Sequence, residues 1–451
     1  MFINLLSQSL KPVFRLNSLT LKNFRRYEKL SINFDEKLTL IVGVNGSGKT
    51  TILEAAAIAV GSFLTKIDGA EALSIQKDDA RLKAYDFGTS DDVVAQYPVS
   101  VSATGDFEFF KDEPWTRSLT GPKSRMTVNE AKNIINFGKD IQSSVRQGDK
   151  GLILPVLAYY GTGRLWDYHR NVKKDFKSSV ATRTNGYKNC LDGTANLKLM
   201  LRWFEKKTIQ SFRKQDSGED NTLNVVFDAL GKCFQRISGL ENIKIQYNFD
   251  TKSLEILYED EFQKVMRLSF DQLSDGYKGA ISLIADIAYR MAVLNPQLND
   301  RVLLETHGIV FIDEVDLHLH PLWQKNIISD LVTVFPKVQF IVTSHAASVI
   351  SSVKKNNLRI LKKDGEVFSM NGEVYGKDVK SIMDEIMGVS DRPDEVESLF
   401  DKFNGALKEA NWSEAESALE EISKLRGGKD PELTSGWVKL KLEKMRRGGL
   451  V

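Results

Sequence analysis

Gly43-Val44-Asn45-Gly46-Ser47-Gly48-Lys49-Thr50-Thr51 is the stretch on which the reading of the whole chain turns. An apolar run, Leu38-Thr39-Leu40-Ile41-Val42, precedes it, and a helix-forming run, Thr51 to Ile58, follows it. Strand, glycine loop, Lys-Thr and helix form the context a phosphate-binding loop requires. Glycines at 43, 46 and 48 let the main chain approach an anion with no Cβ between. The amides from Asn45 to Thr51 and the positive end of the following helix then face the same anion. Lys49 is expected to reach the β- and γ-phosphates of ATP, and the Thr50 hydroxyl to ligate Mg²⁺. A plain glycine turn ahead of an ordinary helix would not fill every one of these positions.

The chain has 451 residues, net charge +2 and two cysteines, Cys190 and Cys233. At about 100–200 residues per domain, that length predicts several domains. The charge neither requires nor excludes nucleic acid. Two cysteines make neither a disulfide framework nor a four-cysteine zinc site, and they suit a reducing compartment. Met1 to Phe14 has too short an apolar run for a signal peptide. Gly279 to Leu294 is the most apolar helical run, and Asp286 and Arg290 within it argue for a buried core helix over a membrane span. No membrane partner and a cytoplasmic location are expected.

Working outward, residues 14–42 read as strands with alternating apolar positions. Arg25 and Arg26 lie just upstream of the phosphate loop. They read either as a solvated edge pair or as contacts to nucleotide or DNA. Residues 52–96 read as a helix followed by a loose charged segment, 97–111 as strands, 112–127 as a loop and 128–147 as a helix. Leu152 to Tyr160 reads as a buried strand ending in Gly161-Thr162-Gly163-Arg164-Leu165-Trp166. Tyr160 or Trp166 could stack on a base there or pack in the core. Residues 170–240 read as mostly helical with a linker over 214–221, and 242–270 as a hairpin of three runs, Ile243 to Tyr247, Leu254 to Tyr258 and Val265 to Phe270.

Three further stretches complete the constellation. Leu273-Ser274-Asp275-Gly276 opens a helix, with Ser274 as N-cap and Gly276 leaving amides open toward an anion. Gly308 to Ile312 is an apolar strand that delivers Asp313 and Glu314 at its C-terminal end. Two carboxylates rarely stand there for stability, since both need partners. Asp313 is suited to holding Mg²⁺, and Glu314 to orienting and polarising the attacking water. Val338 to Ser344 is a second apolar strand, ending in His345, a candidate contact to the γ-phosphate or the water. The helical run between these strands gives the spacing of parallel neighbours. His318 and His320 have no third ligand at metal-site spacing.

Phosphate loop, Leu-Ser-Asp-Gly, apolar-Asp-Glu and Ser-His together resemble the ABC-type ATPase head over most of residues 14–360. The resemblance implies an α/β fold: a P-loop mixed sheet with flanking helices, an antiparallel β subdomain, a helical insertion and an α-helical C-terminal tail. It implies residues 1–170 as the N-terminal lobe, 171–241 as the insertion, 242–365 as the C-terminal lobe and 366–451 as the tail. It also implies a homodimer or higher oligomer closing head to tail. Ser274 and Gly276 of one copy would then contact the γ-phosphate bound by the other, and Asp316 would fall in the loop crossing the interface. Transporter heads continue Asp-Glu-Pro-Thr, whereas this chain reads Asp313-Glu314-Val315-Asp316-Leu317-His318. That ending is similar to the soluble branch: DNA-repair heads of the RecF and Rad50 kind and OLD-type anti-phage ATPases. A transporter glutamine loop is not evident, and Tyr160 to Arg164 occupies its place.

After residue 360, helical spacing returns near 394–410, 412–426 and 431–446, as a cap on the head or a docking element. Tyr375-Gly376-Lys377-Asp378-Val379 and Gly388-Val389-Ser390-Asp391-Arg392-Pro393 resemble the ATPase subunit of Septu-type anti-phage systems, also carried by some retrons. The implied partners are an HNH endonuclease subunit and, in retrons, a reverse transcriptase with its RNA–DNA product. The tail lacks the acid-bearing strands a nuclease of the Toprim type needs, so no nuclease activity is expected in this chain. The competing reading is a DNA-repair-type ATPase that clamps DNA directly, for which Lys173-Lys174 and Lys354-Lys355 supply basic pairs.

Overall fold

A computed structural model describes residues 13–86, 91–165, 182–193, 197–213, 221–388, 392–427 and 430–447. The chain divides into two compact units, residues 1–377 and 378–451.

The first unit is built on a six-stranded sheet. Its order is Val367–Phe368, Leu358–Leu361, Leu38–Val42, Val338–Ser344, Gly308–Ile312, Val156–Tyr160. All pairings are parallel except that of the short edge strand Val367–Phe368. Parallel strands are covered on both faces, so they read as unbroken apolar runs rather than alternations. Leu38–Val42, Gly308–Ile312 and Val338–Ser344 are accordingly buried at every position. The strand leading to the phosphate loop lies centrally, and the loops after residues 42, 312 and 344 open at one end of the sheet, where such sheets bind ligands.

The helix Lys49–Val60 packs between this sheet and a four-stranded antiparallel sheet of order Tyr27–Asn33, Phe14–Phe24, Val99–Phe107, Phe110–Leu119. Trp115 ties the second sheet to the helix by donating its indole N–H to the Ala59 carbonyl at 3.0 Å. Asp275–Leu294 runs against Val156–Tyr160. The helices Leu197–Arg213 and Thr222–Ser238 lie beside it. The strands Lys244–Asn248, Ser253–Glu259 and Val265–Ser269 form a three-stranded antiparallel sheet.

Three local expectations change. The strand Phe110–Leu119 runs through residues 112–119, where a loop was expected, and Pro114 sits opposite Thr104 within it. The strand lies at the edge of its sheet, the place in a sheet that tolerates proline. The charged segment before residue 96 contains a hairpin, Leu82–Asp86 with Asp91–Ala95. The strand expected from Leu152 begins at Val156, just after Pro155. The three runs expected within 242–270 form the three strands of one antiparallel sheet.

In the second unit the helices Asp394–Lys408, Trp412–Arg426 and Pro431–Arg446 enclose a core of Leu399, Phe403, Leu407, Leu419, Ile422, Leu433 and Leu440. Asp430 caps the last helix by accepting from the amides of Glu432 and Leu433. Gly436 admits the close approach of Leu419: a Cβ there would lie 2.8 Å from its Cδ2. Among the described residues, no helix is long and apolar enough to cross a membrane.

Candidate nucleotide site

Gly48 has φ +99 and stands as the residue before the helix that Lys49 opens. A Cβ on it would lie 2.2 Å from the Tyr27 hydroxyl oxygen, so both conformation and space demand glycine. Tyr27 fixes the loop from outside, donating its hydroxyl to the Ser47 carbonyl at 2.9 Å. Burial pushes that hydroxyl up to about 12, so it serves as a neutral donor across ordinary pH. Gly43 does not take positive φ; its need is steric, since a Cβ would lie 2.5 Å from the Leu361 carbonyl oxygen.

The Lys49 ammonium folds back into the loop. It donates to the carbonyls of Gly43 at 2.7 Å and Val44 at 3.3 Å. Burial lowers its pKa, while the carboxylates of Glu314, Asp313 and Asp316 oppose that fall. A cation so placed, with only neutral carbonyls as direct partners, is well suited to an arriving anion.

Asp313 is buried at the end of its strand and is held on both oxygens. Thr50 donates to Oδ2 at 2.7 Å and Thr343 to Oδ1 at 2.6 Å. Its amide donates to the Tyr160 carbonyl at 2.8 Å. Thr343 also accepts from the Glu314 amide at 2.8 Å. Glu314 takes φ +46, an uncommon conformation for a residue with a side chain, and its side chain lines the phosphate-loop cavity. That cavity has a volume of about 430 Å³ and is lined by Arg25, Arg26, Asn45, Gly46, Gly48, Lys49, Thr50, Thr51 and Glu314.

Arg25 and Arg26 are therefore more than a solvated edge pair. Arg25 is anchored on Asp79 at 2.8 Å and paired with Glu54. Arg26 donates to the Gly46 and Lys363 carbonyls. Both line the cavity.

His345 lies past its strand, half exposed, with Nδ1 3.8 Å from Asp316 Oδ2. Asp316 is buried. Ser47 is buried and lies outside the cavity lining. Ser274 occupies the N-cap position of Asp275–Leu294, yet its hydroxyl accepts no capping hydrogen bond, and it is exposed. Gly276 rests on the acid loop of the same chain: a Cβ would lie 2.5 Å from the His318 carbonyl oxygen. Tyr277 meets Trp323 edge to face at 4.0 Å, fastening the two elements. Ser274, Gly276 and His345 are not brought into the cavity.

Tyr160 is buried, and its hydroxyl donates to Asp286 at 2.8 Å, which settles it as core rather than a stacking surface. Trp166 and the Lys173-Lys174 pair lie outside the described residues.

The donor set fits the expected ligands. A hydroxyl and a carboxylate meet at Thr50 and Asp313, both hard oxygens of the kind Mg²⁺ selects. The glycine cradle and Lys49 suit a polyphosphate. Reading the sequence alone missed Thr343 and Tyr27 as site-building residues. Thr343 carried a signal, as the first polar residue near the end of an apolar strand. Tyr27 carried none, because its partner is twenty positions away (27 to 47).

Fold and site define the class: a P-loop ATPase built on a mixed α/β sheet. Among known proteins it is similar to the retron Vc95 probable ATPase of Vibrio cholerae serotype O1 biovar El Tor, with 28% identity across 87% of this chain and 84% of the relative. It is likewise similar to the Septu protein PtuA of Bacillus thuringiensis, with 26% identity across 85% of this chain and 86% of the relative. The AAA domain family matches residues 18–237. The solved SMC head bound to the C-winged helix domain of ScpA aligns with a TM-score of 0.42 and 18% identity, covering 79% of this chain and 98% of that one.

Proposed function

We propose that two copies of this chain clasp ATP with Mg²⁺ between them, head to tail, and that hydrolysis regulates a partner HNH nuclease in anti-phage defence in the cytoplasm. The amides of Asn45 to Thr51 and the Lys49 ammonium bind the phosphates. Thr50 and Asp313 hold Mg²⁺, which when bound supplies positive charge against the phosphate oxygens. Glu314 orients the attacking water and draws on its proton. His345, steadied by Asp316, adds a donor toward the γ-phosphate. Ser274 and Gly276 of the second copy close the site.

One observation carries this reading. The cavity that gathers Lys49, Thr50 and Glu314 does not include Ser274, while Ser274 stands exposed with a hydroxyl not spent on its own helix. A helix N-terminus with amides and a hydroxyl turned to solvent is suited to an anion from outside. A second copy brings such an anion, held on its own phosphate loop. Charge-assisted bonds of roughly 1.5–3 kcal/mol each then make closure depend on the triphosphate. The similarity to retron and Septu proteins supports the defence role and an HNH or retron partner.

Light scattering on gel-filtered protein tests the clasp. Glu314→Gln with ATP and Mg²⁺ should run at twice the mass of the nucleotide-free protein, and an unchanged mass rejects head-to-tail closure. Co-expression with an HNH protein encoded in the adjoining reading frame should yield a complex; failure of the two to associate rejects the nuclease half of the reading.

A further inference from the structure

Tyr160 touches both halves of the proposed machinery. It is the last residue of its strand and sits beside Ile312 in register. Its carbonyl accepts the Asp313 amide at 2.8 Å, so its main chain belongs to the acid strand's pairing. Its hydroxyl donates to Asp286 Oδ2 at 2.8 Å, in the middle of the helix that Ser274 leads. The same carboxylate oxygen accepts from Arg290 Nε at 2.8 Å, one turn on. Arg290 reaches further, donating to the carbonyls of Gly186 at 2.9 Å and Lys188 at 3.1 Å. Tyr160, Asp286 and Arg290 are all at most 2% exposed. Burial, chiefly, drives the Tyr160 hydroxyl's pKa well above its ordinary value, so it is a neutral donor.

Stability alone does not call for this network. The rest of the helix is apolar where it is buried, with Ile281, Ile284, Ile287, Ala288 and Met291. A buried ion pair costs desolvation that a well-packed apolar pair avoids. Directed hydrogen bonds, however, fix where the helix stands along and across the strand, which apolar packing does loosely. The geometry gives that placement leverage. Ser274 lies twelve positions before Asp286 (274 to 286), so at 1.5 Å per residue it is about 18 Å from this pivot. A tilt of about 3° there moves Ser274 by roughly 1 Å, a displacement large enough to matter for a positioned group.

We propose that Tyr160 is a positioning residue. Through Asp286 it registers the serine-led helix against the Asp313 strand, so that each copy's own nucleotide site sets where its helix points toward the other copy's ATP. The proposal rests on the reading of Ser274 as a cap supplied in trans.

Tyr160→Phe tests it, because the ring stays and only the hydroxyl leaves. Tyr187→Phe is the matched control. Tyr187 is equally buried, and its hydroxyl donates to the Pro155 carbonyl at 2.8 Å without touching Asp286. Both variants should lose a similar amount of thermal midpoint. Tyr160→Phe alone should lower kcat about tenfold and weaken ATP-driven dimerisation by a similar factor, with KM within about twofold of wild type. Wild-type protein that dimerises with ATP, together with a Tyr160→Phe variant matching Tyr187→Phe in kcat and dimer strength, overturns the coupling alone. Wild-type protein that hydrolyses ATP with no ATP-driven dimer overturns the capping reading and this proposal with it.

Discussion

The Thr50 hydroxyl donates to Asp313 Oδ2 at 2.7 Å, although 263 residues separate the two. One stands in the first turn of the phosphate-loop helix and the other at the end of the acid strand. Thr343 occupies the other carboxylate oxygen, so Asp313 can release Thr50 to a cation without losing its place. Thr50→Ala should therefore fold with a change of about 1 kcal/mol or less, the net value of one ordinary hydrogen bond. Its nucleotide affinity with Mg²⁺ should fall about tenfold, whereas affinity in EDTA should match wild type. Titration with a fluorescent ATP analogue checks this. An equal ratio of the two affinities in wild type and variant would reject Thr50 as a Mg²⁺ ligand.

Glu314 takes φ +46 with its backbone N–H donating to the Thr343 hydroxyl, and neither depends on the side-chain charge. Glu314→Gln should keep the same backbone and the same cavity lining. Nucleotide affinity should stay near wild type while phosphate release slows by about 10²–10⁴, the usual worth of a positioned base. A single-turnover assay reads the chemical step directly. Wild-type rates in the glutamine variant would remove Glu314 from that role.

Two loop glycines make opposite demands. At Gly46, φ is +75 and nothing lies within 4 Å of an added Cβ, so Gly46→Ala meets only backbone strain of about 1–2 kcal/mol. At Gly48 the same strain is joined by the Tyr27 hydroxyl oxygen at 2.2 Å and its ring carbon at 2.8 Å. Gly48→Ala should lower the thermal midpoint much more than Gly46→Ala. Tyr27→Phe should not rescue it, because the ring carbon stays. Thermal melts of the two alanine variants and of Gly48→Ala combined with Tyr27→Phe decide this, and equal midpoints for the two alanine variants would contradict the crowding of Gly48 by Tyr27.

What was legible in the sequence was what is local. The phosphate loop and Asp313-Glu314 each stand in adjacent residues flanked by apolar runs, whereas Ser274 and Gly276, equally local in the sequence, are not brought to the cavity those runs line. Parallel strands buried on both faces announce themselves as such runs. What stayed hidden depends on partners remote in the chain. Arg26 looked like a solvated edge residue until the loop folded against it. Phe110–Leu119 was masked by Pro114, because only the sheet order reveals that the strand lies at an edge, where proline is tolerated. Tyr160 read equally as a stacking surface or as core because it ends a strand at the sheet's binding edge; its hydroxyl turns to Asp286, which no local pattern links to it.

His307 gives the fold a titration of its own. It stands just before the acid strand, buried, with Nδ1 making no hydrogen bond, and burial together with the Lys337 charge pushes its pKa from 6.5 down to about 4. The folded state thus holds it neutral, while an unfolded chain takes up a proton near its ordinary value. Its contribution to stability is complete above about pH 6.5 and is lost progressively as pH falls toward 4, where both states are protonated. Integrated over that window, the loss is on the order of 3 kcal/mol, a ceiling rather than a mean. His307→Phe removes the titration and keeps an apolar ring in the site. Denaturant midpoints from pH 7 to pH 4.5 should fall more steeply for wild type than for the variant, and parallel curves would show that His307 is not the group that titrates.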